Sequence, residues 1–506
     1  MHALIFGDNK YQPVRMGILR APGAHRIATH LRKQDLNVEV VDFYLNWTVD
    51  ELKQIIDRQL EKPTLFIGFS CSLMFDGVEE FHTIRQYIKS KNPNVSIIVG
   101  GNKTVFKGFT DADYYIEGAG EESITALIDY LQGKPVELKI TNVDGKKVLN
   151  SIVDYKVDSV KGINISYRDS DFLGPDEVLS LESARGCIFK CAFCDFPGIG
   201  KSKLDYLRDI NEIRDELKEN YYRHGTTKYF IVEDTINDTN DKCEMLAEIG
   251  QSLPFKLDLM GYMRADLLVN RPKNVDHLMK AGFRGAHLGI ETFNHEAGKS
   301  IGKGMDPDKL KAGLIDIKNR YPHFYFTGTF IVGLPFETRK EIENTVDWLV
   351  KTRTIEFWAF NPLIIPKKNV TFHQSYFSEN YRLYGYKDMT EEELEQRHTD
   401  VHTLHYGINW YKDIVKWKNK NFDFVEAAML ASSINRNTNR YRGIDAWHAW
   451  SMTALGDSLD SILTKSYDPE SPNRLDGERM STLTNEYIEE YKRKKIEFFN
   501  TKFLTE

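Results

Sequence analysis

The sequence predicts an α/β protein in which an N-terminal doubly wound parallel sheet precedes a central (β/α)6 partial barrel and a mostly helical C-terminal region. Three observations predict it. Short apolar runs of strand length alternate with amphipathic helical segments from Met1 to about Leu131, the same alternation resumes at Val178 and repeats six times, and the strand pattern stops at about Thr371. At 506 residues the chain exceeds what one ordinary core holds, so two or three domains are expected. The boundaries fall at 1–135 for the first α/β domain, 136–177 for a linker, 178–370 for the barrel and 371–506 for the helical region.

In the first domain the strands are His2–Gly7, Val38–Phe43, Leu65–Phe69 and Ser96–Val99. The helices are His25–Lys33, Val49–Glu61, Val78–Ser90 and Glu121–Leu131. The linker carries a hairpin, Val136–Ile140 and Lys147–Ile152, around Asp144-Gly145, a pair that tolerates the positive φ of a tight turn. Barrel strands follow at Val178–Ser183, Lys228–Glu233, Lys256–Tyr262, Gly285–Ile290, Phe324–Val332 and Ile355–Phe360. Between them run helices at Asp209–Tyr222, Asp241–Leu253, Asn274–Ala281, Asp306–Arg320 and Arg339–Thr352, with apolar residues such as Leu310, Leu314 and Ile317 at helical spacing. Glu391–Gln396, Tyr411–Lys418, Phe424–Ser433 and Thr484–Phe499 read as helices of the last region.

Hydrophobic content of 41% is enough to offset the entropy of ordering, so the chain folds. No stretch is apolar for the length a bilayer needs and no leader is evident, which places the protein in the cytoplasm with no membrane partner. A net charge of −7 argues against an overall electrostatic grip on nucleic acid, although a local basic groove stays open. Five cysteines, three of them in one short segment, suit an intracellular metal site better than a secreted disulfide framework. The other two, Cys71 and Cys243, read as buried small hydrophobes.

That segment is Cys187-Ile-Phe-Lys-Cys191-Ala-Phe-Cys194, placed directly after the first barrel strand and Arg185-Gly186. A structural zinc site wants four protein ligands, and no fourth cysteine or close histidine accompanies this loop. A [4Fe–4S] cluster can take three thiolates and leave one iron open to an outside ligand. Barrels of this kind put their chemistry at the C-terminal ends of the strands, which is where the loop lies.

On this spacing and on the barrel around it, from about Val178 to Pro366, the chain resembles the radical S-adenosylmethionine (SAM) superfamily. The resemblance implies that the open iron chelates SAM, that the reduced cluster cleaves it, and that the resulting radical modifies a substrate. It implies an external electron donor such as flavodoxin or ferredoxin. Phe193 occupies the position of an aromatic residue against adenine. Glu233-Asp234-Thr235 ends the second strand where the methionyl amino group is bound, and either acid could serve. Arg264 after the third strand is placed to pair a carboxylate, and Glu291 on the fourth resembles a ribose or methionine contact. Each of these side chains could instead form a structural ion pair. Gly333, in Thr329-Phe-Ile-Val-Gly333-Leu-Pro-Phe-Glu337, would let backbone approach the adenine, with Phe360 at the end of the sixth strand contributing backbone contacts. Glu337 reads as a helix N-terminal residue.

The first domain resembles the cobalamin-binding-like domain of one branch of the superfamily. The features are Gly23 to Ala28 opening a helix, Ser70-Cys71-Ser72 and Gly100-Gly101 after strands, and Gly118-Ala119-Gly120 before a helix. Ser70, Ser72, Gly100, Gly101, Gly118 and Gly120 are the candidate cobalamin contacts, since glycine lets a cofactor tail lie against backbone. The D-x-H-x-x-G motif is absent, and His25 and His30 do not reproduce it, which leaves cobalamin open. With it, methylation of carbon is the implied reaction; without it, rearrangement or cyclisation. A non-catalytic iron–sulfur redox protein using the same cysteines is the other reading. Methylthiolation of RNA fits less well, because the resembling enzymes carry a second cluster in a domain that here has only Cys71. Trp410, Trp417, Trp447, His448 and Trp450 read as core or as a cover over substrate. Lys412, Lys416, Lys418 and Lys420 form a stripe that is either a solvated helical face or a phosphate contact.

Overall fold

The computed structural model describes residues 1–8, 18, 20–71, 77–101, 106, 108–151, 154–155, 160–174, 176–194, 207–368, 375–397, 414–438, 441–442 and 477–505. Ser72, Trp410, Lys412, Trp447, His448 and Trp450 lie outside them. Contacts divide the chain into two units, Met1–Ser180 with Asn211–Thr226 and Gly477–Glu506, and Leu181–Ile210 with Thr227–Asp476.

The first unit is built on a seven-stranded sheet of β1 (His2–Asp8), β2 (Asn37–Val41), β3 (Thr64–Cys71), β4 (Ser96–Gly101), β5 (Tyr114–Glu117), β6 (Thr141–Val143) and β7 (Lys146–Asn150), in the order β2-β1-β3-β4-β5-β7-β6. Every pair is parallel except the β6–β7 hairpin. Parallel strands need crossovers, and helices Pro22–Arg32, Val49–Leu60, Val78–Lys91 and Glu121–Leu131 supply them. Thr48 and Glu51 form a reciprocal capping box that starts the second of these. The strands are apolar on both sides: Ala3, Ile5, Val38, Val40, Phe66 and Ile98 pack against Ala24, Ala28, Leu31, Ile124 and Leu127 on one face, and Leu4, Phe6, Val41, Ile67 and Val99, which alternate with them, are buried as well. The four-residue β5 escaped the sequence reading because it is too short to show a period. In the hairpin turn Asp144 and Gly145 both take positive φ, of 49° and 78°. Its first strand is Thr141–Val143 instead of Val136–Ile140, and β7 extends the sheet by pairing with β5.

A dense set of charges is buried in this unit. Arg20 donates to Glu177 (2.7 Å), Asp42 (2.7 Å) and the Asp171 carbonyl (2.8 Å). His25 Nε2 lies 2.9 Å from Asp42, and the Asp42 N–H donates to the Tyr491 hydroxyl. Lys495, from the helix Gly477–Asn500, donates to the Ser170 carbonyl and lies 3.3 Å from Glu39. Hence the last helix is fastened to β2 and to the segment after the hairpin by polar contacts as well as by aromatic ones.

In the second unit, β8 (Val178–Leu181), which enters it at Leu181, is followed by β9 (Lys228–Ile231), β10 (Asp258–Arg264), β11 (Phe283–Glu291), β12 (Tyr325–Val332) and β13 (Phe357–Pro362). They form one six-stranded sheet in sequence order, open at β8 and β13. The pairs from β9 to β13 are parallel, as the intervening helices require. The side chain of Asn435, in helix Phe424–Asn437, covers the β13 edge by accepting the Phe360 N–H (3.0 Å) and donating to its carbonyl (2.8 Å).

The helix expected over Tyr411–Lys418 is corrected. Residues 411–413 lie outside the described residues, and Trp417–Lys418 is not helical but a short strand, β15, antiparallel to β14 (Lys387–Asp388). Trp417 is fully buried and donates to the Leu363 carbonyl at 2.8 Å, while Lys418 pairs with Glu393. Lys416, Lys418 and Lys420 alternate with other residues at a period of two, the signal of a strand.

Replacing Arg20 by Met leaves Asp42 and Glu177 without their shared cation in a site from which water is excluded. Loss of about 3–5 kcal/mol is expected. Arg493, whose side chain is 62% exposed in its pair with Glu490, provides the control: its replacement should leave the melt close to that of the wild type. Thermal melts of the two variants check the contrast, and equal melts would remove the Arg20 cluster from the account of stability.

Candidate active site

The cysteine loop leaves β8 through Glu182-Ser183-Ala184-Arg185-Gly186. Arg185 is held by Glu182 (2.9 Å), and Gly186 takes φ +84°, a left-handed turn that suits glycine. Three backbone bonds brace the loop: Cys194 N–H to the Cys191 carbonyl (3.0 Å), Ala192 N–H to Ile301 (3.3 Å), and Phe377 N–H to Ala192 (3.0 Å). Cys191 is buried, and Cys187 and Cys194 are half-buried. Thr235 Oγ1 lies 3.4 Å from Cys187 Sγ. Burial pushes the Cys191 thiol above its ordinary value, opposed by the nearby charges of Lys303 and Arg264. Three thiols on one fixed loop with two cations beside them fit the ligand and charge demands of an iron–sulfur cluster that keeps one iron open.

Glu233 sits at the end of β9 as expected, but both its oxygens are engaged. One accepts the Ser183 N–H (2.9 Å) and hydroxyl, and the other accepts Lys242 Nζ at 2.9 Å. Lys242, fully buried, also meets Asp238 (2.9 Å) and the Thr235 carbonyl (2.9 Å). These partners hold its ammonium protonated against the burial that disfavours charge. Asp234, next to Glu233, is half-buried. Arg264 does not present an unoccupied guanidinium: Asp266 takes Nε (3.0 Å) and Nη2 (2.7 Å), and Nη1 points at Cys191 Sγ (3.2 Å). Asn237 binds both the N–H and the carbonyl of Arg264 at 2.9 Å.

At the end of β11 Glu291 adopts φ +67° and accepts Lys303 Nζ at 2.7 Å, while that ammonium stands 5.8 Å from the centre of the half-buried Phe193 ring. A β-carbon on Gly289 would fall 2.7 Å from Glu291 and 2.8 Å from Lys303, so the pair depends on that glycine. Cys191, Phe193, Arg264, Glu291 and Lys303 thus share one neighbourhood. Gly333 and Phe360 are committed elsewhere. A β-carbon on Gly333 would lie 2.3 Å from the Trp417 ring, and its carbonyl accepts the Tyr386 hydroxyl at 2.7 Å. Phe360 stacks on Phe330 at 4.8 Å with its backbone held by Asn435. Lys242, Asn237 and Lys303 were missed by the sequence reading, because lysine and asparagine in a helical or loop setting carry no spacing signal.

In the first unit a cleft of about 630 Å³, including its open mouth, lies at the C-terminal ends of β1, β3 and β4. Ser70, Gly100, Gly101, Gly118 and Gly120 line it with Gly23 and Gly68, against apolar walls that include Ile27, Phe66, Ile98 and Ile124. The sheet order changes direction between β1 and β3, the usual place for a cofactor crevice. Only the Phe69 carbonyl, at 4.0 Å, comes near where a Gly100 β-carbon would be, so a side chain there would stand in the cleft. His25 is buried and bonded to Asp42, His30 contacts Thr125 at 2.8 Å, and neither is among the residues that line the cleft.

Residues 181–349 match the family model described as the radical SAM superfamily. That stretch is a radical SAM domain. The protein is an enzyme of that class, needing a substrate and a reductant, and the class works with a [4Fe–4S] cluster and SAM. Among curated proteins the chain is similar to an uncharacterised methyltransferase of Pyrococcus horikoshii, 24% identical over 63% of this chain and 71% of the relative. It is also similar to a tRNA-2-methylthio-N(6)-dimethylallyladenosine synthase of Natranaerobius thermophilus, 20% identical over 70% of this chain and 73% of that one. Among solved structures it is similar to the radical SAM methyltransferase TsrM of Kitasatospora setae, with TM-score 0.56 and 16% identity over 77% of this chain and 78% of that chain. The cobalamin-dependent SAM radical enzyme OxsB gives TM-score 0.56 and 15% identity over 98% of this chain and 80% of its own. At these identities the likeness to the structures is one of fold.

Beside this radical SAM site the buried Glu337 carboxyl joins two strand ends, accepting the Thr292 hydroxyl (2.8 Å) and the Gly333 N–H (3.1 Å). Burial pushes it up to about 8, with these hydrogen bonds opposing. The native state therefore keeps a proton that the unfolded chain has already lost above about pH 4.5, and stability falls as pH rises from there towards 8. Glu337→Gln removes this component, worth about 1.4 kcal/mol per pH unit for one proton. The variant should gain on the wild type in thermal melts between pH 5 and pH 8; parallel profiles would show that Glu337 is ionised in the fold.

Proposed function

We propose that this protein is a cobalamin-dependent radical SAM enzyme whose preferred reaction is methyl transfer to carbon of a substrate. The observation that carries the reading is the glycine-floored cleft of the first unit, where five of the candidate cofactor contacts meet on one surface. The fold likeness to TsrM and OxsB and the resemblance to a methyltransferase support it. When bound, the cluster supplies the electron that cleaves SAM and cobalamin supplies a methyl carrier.

Cys187, Cys191 and Cys194 hold the cluster in this reading, and Phe193 meets the adenine. The methionyl ammonium is received at the end of β9, where Glu233 and Asp234 stand side by side. Glu291, with Lys303 beside it, faces the ribose or methionine part of SAM. Gly333 and Phe360 act behind the adenine by fixing the strand ends rather than by offering their own backbone. An external flavodoxin- or ferredoxin-type protein delivers the electron, and the protein works in the cytoplasm. No helix among the described residues is long and apolar enough to cross a membrane. Methylthiolation would need further cluster ligands, and the remaining cysteines do not supply them: Cys71 and Cys243 are buried in different units, and burial pushes the Cys243 thiol up to about 12.

Anaerobic reconstitution with iron and sulfide, followed by reduction with SAM with and without hydroxocobalamin, tests the proposal by mass spectrometry. 5′-Deoxyadenosine should form in every case, and S-adenosylhomocysteine should depend on cobalamin. Any cysteine-to-alanine change at 187, 191 or 194 should abolish both products together with the cluster. Gly100→Leu should lower cobalamin uptake at least about tenfold, as expected of a steric loss of 1.4 kcal/mol or more, with deoxyadenosine retained. A loaded cluster that leaves SAM intact would point to electron transfer instead, and deoxyadenosine with no cobalamin-dependent S-adenosylhomocysteine to rearrangement or cyclisation.

A further inference from the structure

Arg264 reaches the cysteine loop by a route that SAM binding does not explain. Its guanidinium donates Nη1–H to Cys191 Sγ at 3.2 Å, both arms of its other edge are taken by Asp266, and Nη2 also donates to the Gly302 carbonyl at 3.1 Å. Phe189, inside the cysteine motif itself, places its ring centre 4.2 Å from the guanidinium carbon. The backbone N–H and carbonyl of Arg264 are fixed by Asn237, and the residue is 6% exposed. A cation held at this many points can turn neither towards a ligand nor away from the sulfur.

We infer that Arg264 is a positioning residue that sets the reduction potential of the cluster through its hydrogen bond to Cys191. The inference rests on the reading that the three cysteines hold that cluster. Accepting an electron makes the cluster and its thiolates more negative. A buried donor and positive charge at one ligand sulfur stabilise the reduced form and raise the potential. Asp266 holds the guanidinium in place and offsets part of its charge, so the two residues act in opposite directions on the same sulfur. Lys303, the other cation near Cys191, is tied to Glu291 and lacks a direct bond to the sulfur in this arrangement.

The test is an EPR-monitored redox titration of the reconstituted enzyme in the absence of SAM, comparing wild type with Arg264→Met, Arg264→Lys and Asp266→Asn at equal iron content. Arg264→Met should lower the midpoint by at least the equivalent of a tenfold change in the one-electron reduction equilibrium, 59 mV. Arg264→Lys keeps the charge without the planar fork and should fall between the two, whereas Asp266→Asn should raise the midpoint. Unmoved midpoints in loaded Arg264→Met and Asp266→Asn would overturn the inference, and a loss of SAM affinity in those same proteins would assign Arg264 to the SAM carboxylate. Wild-type protein that binds no cluster at all would sink the underlying site reading, a result separate from an unmoved midpoint.

Discussion

The second unit depends on the burial of Lys242. An ammonium with no access to water is tolerated only where anions and acceptors surround it, and Glu233, Asp238 and the Thr235 carbonyl do so. The arrangement does more than neutralise a charge. Because Glu233 also accepts from Ser183, the end of β9 is locked to the residue that leads into the cysteine loop. Between Glu233 and Asp238 runs the turn that carries Asp234, Thr235 beside Cys187, and Asn237 on the backbone of Arg264. One buried cation therefore orders the start of the loop, one cysteine's neighbour and the strand end from which Arg264 reaches a second cysteine.

The first unit separates its polar and apolar tasks. Charges are concentrated around Arg20, Asp42, Asp171 and Lys495, where they satisfy one another and fasten the last helix. The cleft has an apolar wall and a glycine floor, so a ligand entering it would meet backbone and hydrocarbon rather than competing ions. The two histidines on the first helix, which composition makes tempting as metal ligands, are absorbed by Asp42 and Thr125.

Much of this was legible in the sequence. Helices Glu121–Leu131 and Arg339–Thr352 begin and end where apolar spacing indicates, and all six barrel strands exist. Two of those strands end early, at Leu181 and Ile231, because the residues beyond them turn aside to make the Ser183–Glu233 contact. The glycines at strand ends, picked out by their place after strands, line the cleft of the first unit. Gly333 invited the same interpretation, yet its missing side chain makes room for Trp417, more than eighty positions away in the chain. Which atom occupies the space beside a glycine is not a local property.

The sequence by itself determined the class: alternating periods set two α/β layers, and three thiols at fixed spacing on one loop set the kind of cofactor the loop can take. Spacing suffices there because the ligands lie on one short segment, whose geometry the backbone limits before any packing occurs. The hydrogen-bond partners of Glu233, Arg264 and the Phe360 backbone were decided only by the tertiary structure. Each carries groups able to serve either SAM or a neighbour, and the choice falls to whichever partner the fold brings within hydrogen-bonding distance once water is gone.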